Sequence, residues 1–259
     1  MTWISAKSRF SYLSEIAGSF FLLAIIHFVF VQLWSLSFKN GAESKANTMQ
    51  GFSLEMMLWY FVGTETLIYA MPPIHRWYER DVRDGDLSMR LNKPITYLGF
   101  QWSQFFGEYL VRAIISLIVG GTVVTALIGG FSFSVAHLPV VLTSFLLAMI
   151  MNFCWSTLIG LTAFWTEDVS GAFFVLDRLK WLLGGFLLPV SLFPEGLQAF
   201  SQWLPFQYMI YAPARLMVQY DSGYALHTLS TQAFWCLPLV GAIVVIYQFG
   251  VRRVSVNGG

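Results

Sequence analysis

Charge is scarce in this sequence. Asp, Glu, Lys and Arg make up 11% of the residues, against roughly 25% in a typical soluble domain. A chain of 259 residues that is 56% hydrophobic carries more apolar surface than one water-soluble core hides. That excludes an ordinary soluble enzyme. The net charge of +1 offers nucleic acid no basic face. Cysteine is scarce too. Cys154 and Cys236 both stand inside apolar runs, where they read as buried thiols rather than a disulfide or a metal site. No Gly-x-x-x-x-Gly-Lys-Ser/Thr loop and no His-Glu-x-x-His occurs, and His27, His75, His137 and His227 have no ligand spacing. The expectation is a chain without its own ATP, cofactor or metal site. No repeat or low-complexity segment is evident.

What is abundant is apolar length. Mean hydropathy is +0.62, and aromatics make up 17%. A bilayer core of about 30 Å needs roughly 20 apolar residues as helix. Six segments qualify: about Gly18 to Phe38, Phe52 to Ile74, Tyr109 to Phe131, Leu138 to Trp165, Ala172 to Phe193, and Gln232 to Val251. The fold class is an all-α polytopic membrane protein, one transmembrane domain over 1–259. The first segment is too long for the apolar part of a signal peptide and lacks a convincing small-residue cleavage site, so it reads as a span. Positive charge orients the bundle. With the N-terminus cytoplasmic, Lys7, Arg9, Arg76, Arg80, Arg83, Arg90, Lys93, Arg178, Lys180, Arg252 and Arg253 lie inside or at the inner interface. Lys39, Lys45 and Arg215 lie outside. Both termini are therefore expected inside, in a cell (inner or plasma) membrane.

Two stretches are neither span nor ordinary loop. Residues 1–17 mix Trp3, Ile4, Phe10, Tyr12 and Leu13 with Lys7, Arg9 and Glu15, which suits an interfacial helix. Residues 187–227 are apolar yet hold Pro189, Pro194, Pro205 and Pro213. Those prolines forbid one straight helix. Short helical pieces dipping into the outer leaflet are expected, since irregular backbone at membrane depth must pack on protein or line a cavity.

The charge that exists is concentrated in RWYERDVRDGDLSMRLNKP, Arg76 to Pro94, within a cytoplasmic region at 75–107 that joins the second and third spans. Arg76, Arg80, Arg83, Arg90 and Lys93 nearly balance Glu79, Asp81, Asp84 and Asp86. A lipid-binding loop would be one-sidedly basic, so the balance suits a protein partner or an internally paired loop. Asp84-Gly85-Asp86 can start a short helix. Leu87 and Leu91 then share one face at i, i+4, and Pro94 ends it. Two exposed leucines on a charged mount have the form of a plug for a pocket on another protein.

The segment GDLSMRLNKPI, Gly85 to Ile95, resembles the Gly-x-Leu-x-x-x-Leu-x-x-Pro-Ile pattern after the second span in membrane subunits of type-2-class ABC exporters. GGFLLPVSLFPEGLQAFSQWLPF, Gly184 to Phe206, resembles that family's Gly-rich fifth span and the broken re-entrant element after it. The family's first segment often carries Glu where this chain has Ser88. The resemblance covers essentially the whole chain. It implies that Asp84, Gly85, Asp86, Leu87, Arg90, Leu91 and Pro94 form a coupling helix. It implies docking to separate cytoplasmic ABC ATPase subunits that carry ATP and Mg, and a second permease subunit, the same chain or a paralogue. It also implies export.

Two rival readings compete with this resemblance. Asp81-x-x-Asp84-Gly85 resembles the opening of the CDP-alcohol phosphotransferase signature, where clustered aspartates hold metal ions. That signature's Arg is displaced here to Arg90, and Ser103 and Gly107 stand where further aspartates are needed. A non-catalytic membrane scaffold leaves the leucine pair and the proline-broken segment unexplained. Within the spans, Glu65, with Tyr69 one turn on, reads either as part of a transport path or as a carboxyl hydrogen-bonded between helices. Glu108 and Arg112 read as an i, i+4 pair. Glu167, Asp168, Asp177, Arg178 and Lys180 read as a second cytoplasmic charge cluster.

Overall fold

The computed structural model describes residues 18, 21–22, 24–39, 48–49, 51–91, 94–130, 134–166 and 168–257. The interfacial helix expected at 1–17 lies outside the described residues. The chain is an all-α membrane protein. Its one departure among the described residues is a two-residue antiparallel pair, Thr48–Met49 with Phe52–Ser53.

Helix α1, Ala24–Lys39, leads through that pair into α2, Leu54–Tyr69. The Ser53 hydroxyl caps α2 by accepting from the Met56 N–H at 3.2 Å. Most residues of α2 are apolar or small, and it is buried continuously from Met57 to Ile68. A helix buried on every face belongs in a protein interior, and its polar residues Thr64, Glu65 and Thr66 are buried with the rest. It ends at Ala70, ahead of Pro72-Pro73, because the residue before a proline avoids the helical region.

A charged segment follows: α3, Ile74–Arg83, then α4, Asp86–Leu91. Gly85 joins them at a φ of 75°, a left-handed value that glycine adopts without a Cβ penalty. Helix α5 is Tyr97–Ile128, so it begins well before the Tyr109 expected from hydropathy and takes in the end of the region expected to be loop. Its first turns are amphipathic: Tyr97, Gln101, Phe105 and Tyr109 form one buried stripe at i, i+4. Helix α6 is Leu138–Leu161.

Helix α7 spans Ser170–Leu183 and stops ten residues short of the expected Phe193. Gly185, at a φ of 79°, is the cause. The Phe186 N–H donates to the Trp181 carbonyl at 3.1 Å and the Gly185 N–H to the Leu182 carbonyl at 3.4 Å, which is a Schellman ending. Short helices α8 (Glu195–Gln202), α9 (Phe206–Met209) and α10 (Tyr211–Val218) follow. Helix α11 is Ser222–Asn257, and Asp221 caps it through the Tyr224 N–H at 2.9 Å. It begins inside what was expected to be the re-entrant region, because that cap lies ahead of the apolar run.

Among the described residues, three helices are long and apolar enough to cross a membrane: Tyr97–Ile128, Val135–Phe164 and Ser222–Arg253. The 16 residues of α2 and the 14 of α7 reach about 24 and 21 Å at ~1.5 Å per residue, short of a full crossing.

Small residues set the closest approaches. A Cβ at Gly160 of α6 would stand 2.6 Å from the Tyr78 ring of α3, and Tyr78 is fully buried. Gly160→Ala should therefore cost about 1–3 kcal/mol by overpacking, read as a lower melting temperature of the purified protein. Gly171→Ala, with nothing within 4 Å of its Cβ, should leave the melting temperature unchanged or slightly higher.

Candidate functional site

The charged segment is fastened to the bundle by one carboxylate. Asp81 on α3 is 1% exposed. Its Oδ2 accepts from the Tyr97 hydroxyl at 2.9 Å and from Gln101 Nε2 at 3.0 Å. Arg90 of α4 brings Nη2 to 3.3 Å from Oδ1, and its guanidinium lies 5.0 Å from the centre of the Phe100 ring. One side chain thus ties α3, α4 and the start of α5. Breaking such a buried pair leaves an uncompensated charge and is strongly destabilising. Asp84, at the C-cap of α3, is by contrast half exposed. Among the described residues no group of three or more His, Cys, Asp or Glu is placed to hold a metal ion.

The leucine reading needs correction. Leu87 is 1% exposed and belongs to this chain's own core, in the cluster with Ile74, Trp77, Tyr78 and Tyr97. It is an anchor for α4, not a plug. The side chains of Ser88 and Leu91 lie outside the described residues. The apolar groups that α4 and its exit turn do expose are Met89, at 64%, and Ile95, at 62%, beside an exposed Pro94.

The break after α7 is built with the same attention to polar groups. Pro189 precedes a single 3₁₀ turn, Pro194 and Pro205 stand just before α8 and α9, and Pro213 is in the first turn of α10. Each is at a helix start, where the missing N–H costs nothing. The carbonyls freed by the breaks are claimed by side chains. Tyr60 donates its hydroxyl proton to the Gly185 carbonyl, and the Thr64 hydroxyl reaches the Phe186 carbonyl at 3.3 Å. Asn152 of α6 donates to the Met209 carbonyl at 3.1 Å, and Gln232 of α11 to the Tyr208 carbonyl at 2.9 Å. Ser144 steadies Gln232, donating to its Oε1 at 3.0 Å. Irregular backbone away from water requires such partners.

Glu65 is not a lone carboxylate. His27 of α1 brings Nδ1 to 2.8 Å from its Oε2, and both side chains are buried. Gly120 of α5 makes the room, since a Cβ there would stand 2.5 Å from His27 Nε2. The pair sits where α1, α2 and α5 meet. Tyr69, one turn on from Glu65, is 38% exposed and edge-on to Phe186.

A family model described as ABC-2 family transporter protein matches residues 21–258. The chain belongs to the ABC-2 transporter family. No curated protein matches it. Membership makes this chain the membrane component of an ABC transporter, embedded in a bilayer and partnered by an ABC ATPase.

In this ABC-2 subunit, several important side chains carry no local sequence signal. Asn152 and His27 are single polar residues inside apolar runs, Gln232 stands at the edge of one, and their partners lie 57, 38 and 24 residues away (152 to 209, 27 to 65, 208 to 232). The expected second charge cluster is divided. Lys180 is buried with Asp177 at 2.6 Å, Arg178 stacks on Trp181 at 3.8 Å, and Asp168 caps α7 through the Ser170 N–H at 2.7 Å. Glu167 lies outside the described residues. The Glu108–Arg112 pair closes as expected.

His75, just past the Pro72-Pro73 break, stacks on Phe173 of α7 with ring centres 3.6 Å apart. Burial pushes its pKa down from 6.5 to about 4, Arg76 adds to the shift and Asp177 opposes it. The unfolded chain then binds the extra proton first. Stability should be full above about pH 6.5 and fall as pH drops toward 4. Melting temperatures at pH 7 and pH 5 test this: the fall should shrink in His75→Phe, and an equal fall in both proteins would contradict the assignment.

Proposed function

We propose that this ABC-2 subunit is the translocation half of an ATP-driven exporter with six spans and both termini cytoplasmic, in the cell membrane. ATP and Mg are bound by separate cytoplasmic ATPase subunits. A second permease subunit, identical or paralogous, completes the path. The substrate is amphiphilic or lipid-like. A groove of about 360 Å³ between α1 and α5, lined by Ala24, Ile25, Phe28, Val123, Ala126 and Leu127, supports that class, because its wall is wholly apolar and suits an acyl chain.

The observation that carries the coupling role is the pairing of a fixed mount with an exposed tip. Helix α4 is tied to α3 and α5 through Asp81, Arg90 and Leu87, while Met89 and Ile95 stay open to solvent. A docking element needs both: side chains free to enter a partner's pocket, and a rigid route by which their displacement reaches the membrane helices.

The test follows from the corrected role of Leu87. Met89→Asp with Ile95→Asp should leave expression, insertion and melting temperature close to wild type. Retention of the ATPase in pull-down should fall by roughly thirtyfold or more, at about 2 kcal/mol for one lost anchor. Leu87→Asp should instead lower the melting temperature of the isolated subunit, because it puts a carboxylate in the subunit's own core. Wild-type retention of the ATPase by the double variant would remove α4 and its exit turn from the docking site.

A further inference from the structure

The near-balance of charge in the segment Arg76 to Pro94 is a property of the sequence and not of the surface. Folding sorts the signs. Asp81 is withdrawn into the bundle, where Tyr97, Gln101 and Arg90 surround it. On the opposite face of α3, Arg76, Arg80 and Arg83 recur at i, i+4 and i+7, one stripe along the helix. They line a cleft of about 500 Å³ with Pro73, Trp77, Glu79 and Ser170. Among the described residues, neither Arg76 nor Arg80 has a carboxylate within 4.0 Å, and Arg83 has only an exposed contact at 3.7 Å with Asp84. Glu79, the one acid in the cleft, accepts from the Ser170 hydroxyl at 3.3 Å. Three guanidinium groups against one carboxylate leave the cleft net cationic.

We infer that this cleft binds a phosphate group, carried by an anionic phospholipid of the leaflet at this end of the bundle. Three features favour a lipid over an acidic protein segment. The cleft lies where α2 leaves the apolar bundle through Pro72-Pro73 and where α7 begins at Ser170, a level that the proposed topology puts among the headgroups. Its wall includes the apolar faces of Pro73 and Trp77, and indole rings settle at that level. One turn along α7 from Ser170, Phe174 is 60% exposed and offers a surface for an acyl chain. The planar fork of an arginine matches two phosphate oxygens at once, so three arginines along one helix face give such a headgroup directional contacts as well as charge.

The experiment is native mass spectrometry of the full-length chain released from nanodiscs containing equal phosphatidylglycerol and phosphatidylcholine. Wild type should retain phosphatidylglycerol preferentially. Arg80→Gln should weaken that retention about fivefold, and Arg76→Gln with Arg80→Gln and Arg83→Gln on the order of a hundredfold. The arginines are outside the core, so the melting temperature in lipid-free detergent should not move. If the triple variant is nevertheless unstable, the single variant still decides. Inorganic phosphate should not displace the lipid beyond what chloride does at matched ionic strength. Equal lipid retention by wild type and variants overturns the inference. So does specific displacement by inorganic phosphate, which would make the cleft a site for the free anion. Loss of the ATPase with lipid retention unchanged also overturns it, and assigns the arginines to the protein partner.

Discussion

The carboxylate of Asp81 is the interaction on which the charged end of this protein depends. A carboxylate 1% exposed is tolerated only when its oxygens have partners, and here those partners come from two other helices, α4 and α5. Satisfying one charge therefore fixes the positions of α3, α4 and α5 together. Leu87 adds an apolar anchor on the same side. The consequence is a short helix that cannot swing freely, attached to a 32-residue membrane helix. In the proposed coupling role, a load applied at its exposed tip would pass into α5 and, through Tyr78 against Gly160, into α6.

At the other end of the subunit the governing constraint is the backbone itself. Gly185 and the four prolines divide the chain after α7 into pieces of 8, 4 and 8 residues. Each break frees carbonyls that lipid cannot satisfy. The amides of Asn152 and Gln232 and the hydroxyls of Tyr60 and Thr64 take them up. These donors stand on α6, α11 and α2, the helices around the break. The broken segment is thus held by specific hydrogen bonds as well as by packing. A shift of α6 or α11 would disturb the bonds to Met209 and Tyr208 first.

The sequence made the membrane class and the α4 segment legible, because hydropathy and the Gly-Asp-Leu signal act locally. Helix boundaries were less legible. Hydropathy misses the amphipathic turns from Tyr97 to Tyr109 and from Ser222 to Gln232, and it reads through Gly184-Gly185, where a backbone conformation rather than polarity ends α7. The facing of Leu87 was read wrongly, since i, i+4 spacing says that two residues share a side but not which side is covered. Glu65 looked solitary because His27 is on another helix. The balanced charges of the segment Arg76 to Pro94 hid a one-sided surface for the same reason: which charge turns inward is decided by Tyr97 and Gln101, outside the segment.

The central claim is that α4 and α5 move as one body. It is tested most directly by the distance between spin labels at Asp86 on α4 and Phe106 on α5, in the complex with its ATPase, without nucleotide and with ATP bound. The account predicts a single narrow distance, the same in both states, that broadens when Asp81 is replaced by Ala. A distance that changes on ATP binding, or one that stays equally narrow in Asp81→Ala, would contradict it.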